Sequence, residues 1–208
     1  MHTVSETDHC MNSGYGVDQL TRNVRELYPA GFRALHQVVL QIHGKSMSMN
    51  GFLKIDRPKG RVDLVAQTPM GGTLFEVHIC RGQQDIILTK GFLKEKWLGE
   101  SVVQDLKRLY LVPDFNSCHI CEQEKQILLC ESDGQRVVRY CFIKNQQSSL
   151  TLTEIMFFNK NRLIYKIEYQ YESGNQLPGA IRIENKKTGY ILTVNQHIIP
   201  DKNPSDRR

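Results

Sequence analysis

The chain has 208 residues, 40% apolar and 24% charged, with a formal net charge of +5. This is enough apolar material for one large core and argues against an intrinsically disordered chain. Lys and Arg are interleaved with Asp and Glu, as in "GFLKEKWLGE", unlike the basic stripe of a nucleic-acid binder, and there is no run of about 18 apolar residues that would cross a membrane as a helix.

The opening stretch "MHTVSETDHCMNSG", residues 1–14, carries neither a basic n-region nor an apolar h-region and reads as a flexible N-terminal segment. "GVDQLTRNVRELYPAGF" then places Val17, Leu20, Val24, Leu27 and Tyr28 on one helical face, with Pro29 as its stop. After this the apolar period switches to two. "FRALHQVVLQIHGKSMSMNGFLKIDRPKGRVDLVAQ" predicts three strands with turns at Gly44 and at Arg57-Pro58-Lys59-Gly60.

The next turn, at Pro69, Met70, Gly71 and Gly72, is the most punctuated in the chain. Turn tips are normally polar, yet this one offers a long, adaptable apolar side chain. "GTLFEVHICRGQQDIILT" predicts two more strands around Gly82, and "LGESVVQDLKRLYLVP" a second helix with Val102, Val103, Leu106, Leu109 and Tyr110 on its apolar face. A hairpin follows, 126–131 with 136–143, turning at Asp133-Gly134, which sets Cys130 opposite Val137. Two strands around Asn159-Lys160-Asn161 and a last hairpin over Lys186 to Gly189 complete the pattern, and residues 200–208 read as a disordered tail.

The total is ten or eleven strands and two or three helices, with tight connections that all read as hairpins, so the sheet is expected to be antiparallel. A sheet this wide must curl. The expectation is a mainly β, single-domain fold over residues 15–199: an unclosed half-barrel with a helical lid. Alternation puts Val39, Met47, Met49, Leu53, Leu64, Phe75, Val77, Leu152, Ile164 and Ile167 on the inner face, as cavity lining or as simple core, and a one-residue register slip would reverse any strand. Trp97 and Leu98 join Val102, Val103 and Leu106 as candidate lid residues.

Catalytic signatures are missing. There is no GxSxG, HExxH or GxxxxGK[ST] pattern. His36, His43 and His78 fall on strands or strand ends and read as surface or hydrogen-bonded core groups. The six cysteines do not form a disulfide framework in a chain of this length, and Cys118 to Cys121 is a lone CxxC without a second ligand pair. The expectation is a protein that is not an enzyme and holds neither metal nor cofactor.

The order "GFLKIDRP…GRVDLVAQTPMGGTLFEV", "WLGESVVQDLKRLYL" and "IYKIEYQYESGNQLPGAIRIENKKTGYILTV" resembles the LolA/LolB-like outer-membrane lipoprotein localisation proteins. It is most similar to the LolB branch and to the lipoproteins grouped as the DUF3261 family, over roughly residues 30–198. The resemblance implies an unclosed antiparallel barrel of about eleven strands with a helical lid. It also implies handling of acyl chains: accepting a lipoprotein or another acylated molecule, in concert with the membrane surface and a periplasmic carrier protein, at the periplasmic face of the outer membrane. On that pattern Met70 corresponds to a protruding, membrane-touching residue; the alternative is that it folds back to plug the rim. The chain is expected to be a monomer. Cys10 follows "ETDH", which is not the small apolar lipobox of an anchored lipoprotein. The rival readings are a non-transport envelope module with a filled core and a lipid hydrolase, the latter needing a nucleophile within reach of a base.

Overall fold

The computed structural model describes residues 14–81, 83–88, 96–111, 115, 117–123, 126–144 and 149–200. In chain order the elements are α1 (Val17–Arg25), β1 (Gly31–Ile42), β2 (Lys45–Asp56), β3 (Arg61–Gln67), β4 (Thr73–Cys80), β5 (Gln83–Leu88), α2 (Lys96–Tyr110) and β6 (Cys118–Gln123). They continue with β7 (Gln126–Asp133), β8 (Arg136–Lys144), β9 (Leu150–Asn159), β10 (Arg162–Gln170), β11 (Ala180–Asn185) and β12 (Tyr190–Pro200). The strands form one sheet in the order β5-β4-β3-β2-β1-β12-β11-β10-β9-β8-β7-β6, so it ends in two different edges and does not close. Hairpin pairings along both halves are antiparallel. The expected mainly β, unclosed antiparallel fold with two helices is what is observed.

Among the described residues the sheet has twelve strands against the expected ten or eleven, and the addition is β6. "CHICEQ" is short and has one aliphatic residue, so its alternation is hard to see. It is an edge strand, with β7 as its single neighbour in the sheet. The first helix stops at Arg25 rather than at Pro29. Its C-cap, Glu26, closes on the Arg22 carbonyl at 2.8 Å, and Tyr28 is committed to a different aromatic cluster. In the β7–β8 hairpin the two loop residues are Gly134 and Gln135, because Asp133 pairs with Arg136. Gly134 takes φ +58, which glycine adopts without a Cβ penalty. The register moves accordingly, and Cys130 faces Arg139 rather than Val137.

The chain divides into two compact units. One takes α1, residues 41–45, β6 to β11 and the beginning of β12. Its core is the face carrying Ile127, Leu129, Tyr140, Phe142, Leu152, Ile155, Tyr165, Ile167, Tyr169, Ile181 and Ile183, all buried. The helix α1 lies against β6, β7 and β9, and its Leu20 is fully buried. The opposite face of β9 to β11 carries charge pairs, with Lys166 Nζ 3.0 Å from Glu154 and 2.9 Å from Glu168.

The other unit takes β1 up to Leu40, β2 to β5, α2 and the end of β12. In β1 to β3 alternation is strict. Phe32, Ala34, His36, Val38 and Leu40 of β1 are buried, as are Met49, Leu53 and Ile55 of β2, and Val62, Leu64 and Ala66 of β3. Leu53 pairs with Leu64, and Leu64 with Val77, so the apolar side chains form continuous cross-strand rows.

Candidate functional site

The β3–β4 connection carries the unusual methionine. A tight set of bonds holds it: Thr68 N–H donates to Gly72 O at 2.8 Å, Gly71 N–H to Thr68 O at 2.9 Å, and Gly72 N–H to the Thr68 hydroxyl at 3.0 Å. Gly71 sits at φ +91, a conformation that a Cβ would strain. The ladder shifts register between Ala66 and Gln67, just before the loop. The product is a loop of defined shape whose apex, Met70, is 98% exposed. Among the described residues the other exposed large apolar side chains, Leu35, Phe52, Ile143 and Ile199, are each about half covered. In this structure Met70 does not fold back onto the rim.

Behind the loop lies the apolar face of β2 to β4. Of the residues assigned to it from alternation, Met49, Leu53, Leu64, Phe75 and Val77 are buried, and Met47 is half-buried with the same parity. Val39 corrects the expectation for β1: the buried set there has even numbers, Phe32 to Leu40, so Val39 stands on the other face and is half-buried. The adjacent pair Val38-Val39 is ambiguous by itself, but Arg33, Gln37 and Gln41 share the parity of Val39 and mark it as the outward one. Leu152 and Ile167 are buried in the core of the other unit. Ile164 corrects the expectation for β10: it shares the parity of Lys166 and Glu168, three residues from Ile167, so it stands on the face opposite the Tyr165–Ile167–Tyr169 row and is half-buried, next to the register jump between Leu163 and Tyr165.

On α2, Val103 and Leu106 are buried and Val102 is half-buried. Trp97 and Leu98 fall in the helix's first turn, and their side chains lie outside the described residues. The segments 1–13 and 201–208, expected to be flexible, lie outside them as well.

The last turn of α2 is fixed by a buried polar network that alternation alone does not reveal. The Tyr110 hydroxyl donates to Gln196 Oε1 at 3.2 Å and lies 3.2 Å from His36 Nε2, while Gln196 Nε2 donates to the Tyr28 hydroxyl at 3.2 Å. Because the Tyr110 proton goes to Gln196, His36 is assigned the Nε2–H tautomer, donating to the Tyr110 oxygen. Tyr28, Phe32 and Tyr110 make mutual ring contacts at 5.2 to 5.9 Å. His36 is only 6% exposed, and burial lowers its pKa to about 4, so it is neutral at pH 7. Gly51 makes room for it: a Cβ there would lie 3.2 Å from His36 Cβ and 3.3 Å from Leu64 Cδ1. His36 is thus a hydrogen-bonded core histidine, one of the two roles expected for it.

A second histidine belongs to the opposite face of β3–β4. His78 Nδ1 is 3.0 Å from Asp63 Oδ1, and Arg61 Nε donates to Asp63 Oδ2 at 2.8 Å. The hydrogen bond to Asp63 raises the His78 pKa. With the side chain 40% exposed, this is a solvent-facing charge cluster on the β3–β4 pair.

No protein-family model matches the chain, and no curated protein matches it either. Solved structures do. One similar structure is a LolA superfamily protein of Nitrosomonas europaea, 10% identical, TM-score 0.60, covering 93% of this chain and 97% of that one. The fold is LolA-like. Another is a DUF1329 family protein of Desulfovibrio piger, 14% identical, TM-score 0.58, covering 91% and 93% of the two chains. At these identities the likeness is one of fold.

Proposed function

We propose that this chain binds acyl chains or comparable apolar groups and touches a membrane through Met70. The observation that carries the reading is the loop itself: a fully exposed, apolar, flexible side chain is held out on a short hydrogen-bonded hairpin next to a buried apolar sheet face. The LolA-like fold supports it. On this reading Met49, Leu53, Leu64, Phe75 and Val77 form the acyl-binding face, and Val102, Val103 and Leu106 of α2 belong to the segment that gives way to the chains.

The mechanism is passive. Acyl burial is worth about 0.8 kcal/mol per methylene, so ten methylenes supply roughly 8 kcal/mol before ordering costs. Cargo then moves toward whichever of protein, bilayer or next carrier binds it better. Met70 provides a shallow anchor that brings the binding face to the lipid surface. A lipoprotein or another acylated molecule is the cargo class, a periplasmic carrier its supplier, and the periplasmic side of the outer membrane the place of delivery.

Two measurements test this. Titration with a fluorescent long-chain acyl probe, competed by a triacylated lipopeptide, a free fatty acid and a short-chain control, is expected to show saturable binding displaced by the long-chain competitors. Co-flotation with phospholipid vesicles is expected for the wild type and lost in Met70→Asp. Probe binding without flotation overturns the membrane role. The absence of saturable binding overturns the acyl-binding role and leaves a module with a filled core.

A further inference from the structure

The lone CxxC points in the wrong direction for a metal chelate. On a strand, residues three apart face opposite sides, so Cys118 and Cys121 of β6 cannot converge. Residues two apart do converge, and on this strand they are His119 and Cys121. Across the β6–β7 ladder His119 pairs with Cys130. One nitrogen of His119 and the sulfurs of Cys121 and Cys130 all lie within 4.8 Å of one another.

We propose that His119, Cys121 and Cys130 form a three-ligand site for a thiophilic d10 cation, Zn(II) or Cu(I). Three features favour it. The ligand types suit such ions: thiolates select Cu(I) and zinc, and imidazole accepts both. The spacing is close, because ligands at about 2.0 to 2.3 Å from a shared ion stand roughly 3.5 to 3.9 Å apart, so contraction of about 1 Å completes the triangle. The setting is dry and sulfur-rich on one side and open on the other. Both thiols are buried with Leu128 and Cys141, Met156 packs against them, and His119 is exposed as the point of entry. Coordination converts the two thiols to thiolates and releases their two protons to solvent, while the neutral imidazole donates a lone pair. The site lies on the face of β6–β7 opposite Ile127 and Leu129, the core face of its unit, and is independent of the acyl-binding reading.

The full chain, purified with reductant and freed of metal by chelation, is titrated anaerobically with Zn(II) and, in a parallel arm, with Cu(I), each against a chromophoric chelator. The expected result is one ion per chain in at least one arm, with proton release in weakly buffered solution. His119→Ala, an exposed position that does not threaten the fold, is expected to weaken binding by more than about tenfold. Cys121→Ala and Cys130→Ala, checked for native circular dichroism, are expected to abolish it, and Cys118→Ser to leave it unchanged. Equal dependence on Cys118 and Cys121 overturns the proposal, as does failure to take up either ion. A Cys121–Cys130 disulfide in protein isolated without reductant, with no ion bound after reduction, overturns it in favour of a redox pair.

Discussion

Acidification should cost this protein stability through His36. Its folded pKa is about 4 against an ordinary value of 6.5, because burial disfavours the imidazolium. The unfolded chain therefore binds more protons than the native one across that interval. The neutral-histidine contribution is fully present above about pH 6.5 and is lost progressively as pH falls toward 4. Linkage with these values gives a loss of about 2 kcal/mol between roughly pH 7.5 and pH 5. Other groups titrate too, and His78, whose pKa is raised, acts in the opposite direction. The comparison is thus between wild type and His36→Gln, whose amide can still donate to Tyr110 but cannot gain a proton. Urea midpoints for both proteins at several pH values in that range are converted to free energies. The wild type should lose about 2 kcal/mol more than the variant, whatever stability the variant has lost at neutral pH. Parallel pH profiles would refute the assignment of His36 as the group that resists protonation.

Three further outcomes follow from the same unit. Tyr110→Phe removes the oxygen shared by His36 and Gln196 and should destabilise by about 1–3 kcal/mol, seen in urea unfolding. Gly51→Ala forces a Cβ to 3.2 Å from His36 Cβ, which is fixed beside the backbone, and to 3.3 Å from the Leu64 Cδ1 methyl, which can give way, so a loss of about 1–3 kcal/mol and a lower Tm are expected chiefly from the His36 contact. Gly71→Ala meets open space but keeps φ +91, so its cost of about 1–2 kcal/mol comes from backbone strain alone; Gly72→Ala, which has no positive φ, serves as the control.

Strand parity explains how far the sequence could be read. In β2, β3 and β4 most polar residues share one parity, so alternation selects a single face, and Met49, Leu53, Leu64 and Val77 on that face are buried. Where two apolar residues are adjacent, as at Val38-Val39 and Leu163-Ile164, the pair alone does not choose a face. The rest of the strand does: Arg33 and Gln37 share the parity of Val39, and Lys166 and Glu168 that of Ile164, so both stand away from the core. Turn chemistry behaves likewise. Asp133-Gly134 is a good two-residue turn in isolation, yet Asp133 is retained in the ladder and Gly134-Gln135 makes the turn, in a register that sets Ile127 against Phe142 and Leu129 against Tyr140.

The polar groups follow a different logic from the apolar ones. A Met on a Pro-Met-Gly-Gly turn stands out because it breaks a local rule, and the structure leaves it fully exposed. The Tyr28–Gln196–Tyr110–His36 network breaks no local rule: its members sit in the α1–β1 connection, at a helix end and on two strands, and the bonds join residues as far apart as Tyr28 and Gln196. The sulfur group lies between these cases. Read as a motif, Cys118 and Cys121 suggest a chelate that a strand's geometry forbids. Read as a strand, the same six residues bring His119 and Cys121 to one side, and the hairpin adds Cys130. The secondary structure of "CHICEQ" therefore decides its chemistry, which is why Cys118→Ser against Cys121→Ala is the informative pair of substitutions.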